Sequence, residues 1–214
     1  MKELIVGIDF AINSTGICFQ LPNEQYKFIG LIREDYSLPK KAKEFINLFN
    51  KLTENIQIIL LNKHDTSKVY HERELLNIQD ASYLTDCIIN CIQNEAKNID
   101  IENIFISIEG LSFGSASNRL AEISGFQYLL REKIYKLGYN LYVFSPKTIK
   151  MIAGKGNFNK LNMQEAFFKE NINKKQLDIF KNTTTKIIMY HPWEDMADAL
   201  FVTKTLKEKI LNKQ

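Results

Sequence analysis

Residues 3–12 read ELIVGIDFAI, an almost unbroken apolar run interrupted by a single acid, Asp9. A run this short and this continuous is the signature of a strand buried on both faces of a sheet. TGICFQLP (15–22) and EQYKFIGLIRE (24–34) follow at hairpin distance, so three consecutive strands are expected to begin the fold. Further along, NIFISIEG (103–110) alternates, with Ile104, Ile106 and Ile108 on one face and Phe105, Ser107 and Glu109 on the other. LYVFSP (141–146) reads as a fifth strand ended by Pro146.

Helical periodicity fills the spaces between these strands. KKAKEFINLFNKL (40–52) fits an amphipathic helix, and a second helical pattern runs from about Leu75 to Lys97. Between them IQIILL (56–61) is ambiguous and LNKHDTSKVYHERE (61–74) reads as a loop. NRLAEISGFQYLLREKIYKLG (118–138) has helical period with Gly138 as its stop, and HPWEDMADALFVTKTLKEKI (191–210) predicts a last helix with Pro192 near its first turn. Hairpin strands followed by strand, helix, strand, helix predict an α/β fold built on a sheet of mixed direction.

The composition sets bounds on function. The 214 residues, against about 150 per domain, suit one domain spanning 1–214. Hydrophobic residues at 45% and charged residues at 25% are ordinary for a globular protein, which argues against a disordered tail or a fibrous repeat. No apolar stretch approaches a membrane span and the opening residues lack a secretory pattern, so a cytoplasmic protein with no membrane partner is expected. The net charge of +3 does not by itself demand a nucleic-acid partner. The three cysteines and three histidines have no zinc-ligand spacing, and buried free thiols are expected.

Four carboxylates stand where an α/β fold tends to bring side chains together: Asp9 on the first strand, Glu109 at the end of the fourth, and Asp195 and Asp198 on the last helix. Asp9 interrupts a buried apolar run, where an ionised group is costly without a positive partner. Asp195 and Asp198, three apart, share one helix face, with Glu194 expected to project away from the pair. Singly each acid has a plain structural explanation, as a turn residue, a loop start or a helix N-terminal charge. Jointly they point to hard divalent cations, two Mg2+ ions with Mn2+ as a substitute, and to phosphodiester hydrolysis. PKTIKMIAGKGNFNK (146–160) carries Lys147, Lys150, Lys155 and Lys160 with no acid, which suits a phosphate backbone, while Gly154 and Gly156 would let the main chain approach an anion. His191 is read as serving the start of the last helix.

Taken in order, GIDFAINSTG (7–16), ISIEGLSFG (106–114), SPKTIKMIAGKGNFNK (145–160) and WEDMADAL (193–200) resemble the RuvC-like Holliday junction resolvases, above all the phage and other viral branches. The resemblance implies a ribonuclease H-like fold, a five-stranded mixed sheet flanked by helices, with residues of about 33–100 outside the likeness as a helical insertion. It implies Asp9, Glu109, Asp195 and Asp198 as a catalytic, metal-binding tetrad. The implied substrate is a four-way DNA junction, nicked symmetrically by a homodimer in the cytoplasm, the host's if the protein is viral. Phe113 would stack on or wedge between opened bases, and Lys155 and Lys160, in the Gly-Lys-Gly segment, would hold phosphate. Rival readings are a nuclease of the same fold acting on a flap or an RNA/DNA hybrid, a binding module without catalysis, and an actin-like ATPase or sugar-kinase type phosphotransferase, which shares the look of GIDFAINSTG.

Overall fold

The computed structural model describes residues 3–37, 55–111, 118–182 and 189–209. Six strands, β1 (Leu4–Asp9), β2 (Ser14–Gln20), β3 (Tyr26–Arg33), β4 (Ile56–Leu61), β5 (Ile104–Glu109) and β6 (Asn140–Phe144), form one sheet in the order β4-β3-β2-β1-β5-β6. β1, β2 and β3 are antiparallel neighbours, whereas β4, β5 and β6 each run parallel to the strand beside them. The sheet thus has the mixed direction expected, with six strands rather than five. The added strand is the ambiguous IQIILL, which lies along β3 at the sheet edge. A six-residue apolar run carries too little periodicity to separate strand from helix, and pairing with β3 decides it.

Helices cover both faces. On one face α1 (Tyr70–Glu95) and α2 (Asn118–Lys136) cover Leu4, Val6 and Ile8 of β1 and Ile104, Ile106 and Ile108 of β5. α1 supplies Leu84, Ile88 and Ile92 to this core, and α2 supplies Phe126, Leu130 and Ile134. The region expected as an insertion therefore contributes an edge strand and a core helix, both built into the fold. The helix expected over 40–52 lies outside the described residues.

On the other face lie α3 (Pro146–Ala153), α4 (Lys160–Phe167), α5 (Lys174–Asn182) and α6 (Trp193–Lys209). The lysine-rich segment 146–160, expected to suit a phosphate backbone, is largely helical. Ser145 caps α3, with Pro146 in its first turn, and Asn159 caps α4 in a reciprocal capping box. Gly154 and Gly156 belong to the turn between them. Gly154 has φ of +155°, and a Cβ there would meet the Phe158 ring, while one on Gly156 would approach the Lys147 stem at 3.0 Å. Packing in this turn accounts for both glycines without an anion.

α6 sits unusually close to the sheet. A Cβ on Gly7 would collide with the Ala199 carbonyl and the Thr203 amide, and one on Gly16 with the Asp195 carbonyl. Two buried hydroxyls tie the layers together. Ser107 Oγ is 3.1 Å from the carbonyls of both Val6 and Val202, and Thr203 Oγ1 is 3.1 Å from the Cys18 carbonyl. The sheet thereby receives the backbone of α6, not only its side chains.

Gly16→Ala should therefore destabilise the protein by roughly 1–3 kcal/mol or more, because the methyl group meets main-chain atoms that have no rotamer to escape into. Gly125→Ala, in α2 with nothing within 4 Å of the added Cβ, should stabilise by about 0.5–1 kcal/mol. Urea unfolding of the two variants against wild type checks both signs.

Candidate active site

β1 and β5 run parallel and adjacent, with Ile8 paired to Ile108, so Asp9 and Glu109 end neighbouring strands at the same height. Such strands lie about 4.8 Å apart. Strand alternation puts both acids on the face that carries Gly7 and Ser107, the face covered by α6. Asp195 and Asp198 occupy the first two turns of α6, and the Asp195 backbone lies over Gly16, the residue paired with Asp9. Four carboxylates from two strands and a helix are thus gathered at the ends of the central strands.

Their electrostatics record the crowding. Burial, then the charges of Asp198, Glu109, Asp195 and Glu194, hold Asp9 well above the usual carboxylate range. Asp198 is pushed up to about 8 by burial and by Glu109, Glu194 and Asp195. Burial raises Glu109, with Lys150 opposing it. Burial also raises Asp195, opposed by hydrogen bonds from His191 and Ser14. Like charges withdrawn from water disfavour one another's ionisation, so an uncompensated cluster of this kind holds protons that a cation would displace.

Two neighbours depart from expectation. Glu194, expected to project away from the aspartates, joins them: its charge acts on Asp9, Asp195 and Asp198, and its carboxylate binds Lys160 Nζ at 2.8 Å. Its longer side chain returns to the site although its Cα lies one position off the shared face. His191, read as serving the helix start, places Nδ1 2.9 Å from both carboxylate oxygens of Asp195 and stands edge-on to Tyr36 at 5.7 Å. The Asp195 hydrogen bond raises its pKa, against burial, which lowers it. Ser14 Oγ donates to the same Asp195 carboxylate. Sequence reasoning passed over Ser14, although a polar residue opening a buried strand was a visible signal.

The lysines divide into two pairs. Lys150 on α3 acts on Glu109, and Lys160 at the start of α4 is held by Glu194. Lys147 and Lys155 are exposed on the same helix-turn-helix, away from these contacts. Phe113 lies outside the described residues.

No family model matches the chain, and no curated protein matches it. Among solved structures, the Thermus thermophilus RuvC structure aligns over 97% of this chain and 96% of its own, with TM-score 0.51 and 10% identity. The structure of T. thermophilus RuvC in complex with Holliday junction substrate aligns over the same shares, with TM-score 0.48 and 11% identity. The fold is ribonuclease H-like.

Within this ribonuclease H-like framework the donor set is made of carboxylate oxygens without thiolates, since Cys18, Cys87 and Cys91 are free and belong to strand β2 and helix α1. That chemistry fits a hard divalent cation. Among the described residues no group of three or more His, Cys, Asp or Glu side chains is placed to hold a metal ion as it stands. The Asp195 carboxylate is instead engaged by Ser14 and His191. A cleft of about 340 Å3 opens beside it, bounded by Asn13, Tyr36, His64 and Glu122 as well as His191 and Asp195.

The raised carboxylates give a definite pH dependence. An acid whose pKa rises from an unfolded value of 3.8 to about 8, as for Asp198, binds more protons folded than unfolded between those values, so stability falls as pH rises through that window. In EDTA, Tm should fall from pH 5 to pH 8. Asp198→Asn should reduce the slope and raise Tm at pH 8, each 1 kcal/mol appearing as about 2–4 °C. Millimolar Mg2+ at pH 8 should raise the wild-type Tm, and thermal unfolding across this grid is the check.

Proposed function

We propose that this chain is a metal-dependent, structure-selective DNA endonuclease that resolves four-way junctions and other branched DNA. The observation that carries the reading is the convergence of Asp9, Glu109, Asp195 and Asp198 from two strands and a helix into one mutually repelling cluster, with Lys150 and Lys160 beside it. Structural acids are seldom stacked against one another in this way, since each raises the cost of ionising the next. The four sequence blocks and the ribonuclease H-like fold support the same reading.

Asp9, Glu109 and Asp198 would hold the cations, and Asp195, oriented by Ser14 and His191, would complete the set. Two magnesium ions bound there, or manganese in their place, would activate a water and stabilise the leaving oxygen of a phosphodiester. The protein's own contribution is positioning. Tight docking of α6 fixes two carboxylates against two strand ends. Lys150 and Lys160 draw the phosphate backbone toward a site whose acids would otherwise repel it, while Lys147 and Lys155 extend the cationic track along α3 and the following turn. Phe113, shortly after Glu109, is assigned to stacking on opened bases. The chain is read as one domain acting as a homodimer, since two centres related by a two-fold axis would nick opposed strands symmetrically. The viral likeness suggests clearing branched DNA before genome packaging, within a host cytoplasm.

The test is incubation in magnesium with a synthetic four-way junction, a flap, an RNA/DNA hybrid and plain duplex at equal concentration. Paired, ligatable nicks in the junction are expected, and preferential cutting of the flap or hybrid would replace this substrate with that one. Asp9→Asn and Glu109→Gln should each lower cutting by on the order of 10³-fold or more, as loss of one member of an interdependent set does, and leave junction binding in place. Undiminished cutting by Asp9→Asn would remove Asp9 from the mechanism.

A further inference from the structure

The cleft beside Asp195 has a second, differently built wall. Arg33 is 2% exposed, and each of its three nitrogens donates: Nε to the Ile12 carbonyl at 3.2 Å, Nη1 to the Asn62 carbonyl at 2.8 Å and Nη2 to Asp80 Oδ2 at 2.6 Å. Asp80 Oδ2 in turn lies 2.7 Å from His64 Nδ1. The Asp80 contact fixes the imidazole, with Nε2 on the Glu122 side. That nitrogen is 3.9 Å from Glu122 Oε1, and both side chains line the cleft. The Glu122 carboxylate therefore offers acceptor oxygens to the cleft beside a fixed imidazole.

The rest of the cleft narrows the choice. Glu122 and Asp195 bring negative charge to it, and among the described residues no Lys or Arg lines it. A phosphate is therefore disfavoured there. Tyr36 and His191 contribute ring surfaces, Asn13 adds an amide, and the volume of about 340 Å3 is at the small end of ligand pockets, enough for one nucleoside. A flat, neutral heterocycle with an N–H edge satisfies all of these conditions, and a carboxylate accepting from a base amino group is an established form of readout.

We propose that this cleft is a nucleobase pocket, which takes one unstacked base of the substrate strand and selects bases that carry an amino group over thymine. Its identification with the substrate strand rests on the endonuclease reading above. Glu122 accepts from the amino edge, the His64 ring packs beside it, and Asp80 with Arg33 are positioning residues that fix the imidazole. Thymine brings two carbonyl oxygens and one N–H to this wall, and its carbonyls would face acceptors.

The experiment follows the three imidazole signals by NMR in metal-free, wild-type protein titrated with deoxyguanosine, thymidine or inorganic phosphate. His64 and His191 should shift saturably with deoxyguanosine at concentrations about tenfold lower than with thymidine, with exposed His71 unmoved. Glu122→Gln, a change on a partly exposed helical position, should remove that tenfold difference, because an amide offers thymine the donor that the carboxylate lacks. His64→Gln should weaken deoxyguanosine binding. Equal response to both nucleosides, a static His64, or the same shift with phosphate would overturn the pocket. Nucleoside selectivity with no junction cutting would sink the endonuclease reading alone, whereas junction cutting without nucleoside selectivity would sink the pocket alone.

Discussion

Everything at the candidate site depends on how closely α6 approaches the sheet. Gly7 and Gly16 remove the side chains that would hold a helix at normal distance, and the Asp195 carbonyl comes down onto Gly16. At ordinary helix-to-sheet spacing the carboxylates of α6 would be separated from the ends of β1 and β5 by a layer of side chains. With that layer absent, Ser107 and Thr203 can bond across the interface, and these contacts fix the helix along its axis as well as above the strands. The register that results puts Asp195 and Asp198 over the strand ends and not over the middle of the sheet.

Such an arrangement is stabilising for the fold and costly for the acids. The same close approach that excludes water from α6 raises Asp9 and Asp198, and the neighbouring groups offset this only in part: Lys150 opposes the rise in Glu109, while Ser14 and His191 oppose it in Asp195. Ser14 opens β2 immediately before the Thr15-Gly16 pair, so one short stretch supplies both the space beneath α6 and a donor for its first aspartate. Retaining this repulsion in an otherwise well-packed protein supports the proposed cation-binding role, since a fold selected for stability alone would replace the acids with neutral groups.

Much of this was legible in the sequence because it depends on local patterns. Alternation in NIFISIEG places Glu109 on the face opposite Ile104, Ile106 and Ile108, and the structure has it there. The spacing of Asp195 and Asp198 predicts a shared helix face by geometry alone. Other parts were hidden for physical reasons. β4 is recognisable only through its pairing with β3. The eight-residue helices α3 and α4 are too short for a secure period, although Ser145-Pro146 was a legible cap. The roles of Glu194 and His191 depend on side-chain reach, and the placing of His64, in the loop after β4, depends on Asp80 and Glu122 from two separate helices; no spacing along the chain encodes such a meeting.

The distribution of charge around the acids gives the site a direction. Lys150 and Lys160 approach from the α3–α4 side, whereas the cleft on the other side of Asp195 presents Glu122, an oriented His64 and no lysine or arginine among the described residues. On the proposed reading, a nucleic-acid strand crossing the acid cluster would meet a surface that attracts its phosphates on one side and disfavours them on the other. The proposed strand would then lay its backbone along α3 and α4 and turn a base toward Tyr36 and Glu122. Because Asp195 belongs to both regions, through His191 on the cleft side and through the cluster on the other, a base seated in the cleft would bear on the side chain that completes the metal-holding set. Recognition of the strand and assembly of the site would then be coupled through one carboxylate, with Ser14 and His191 setting its orientation.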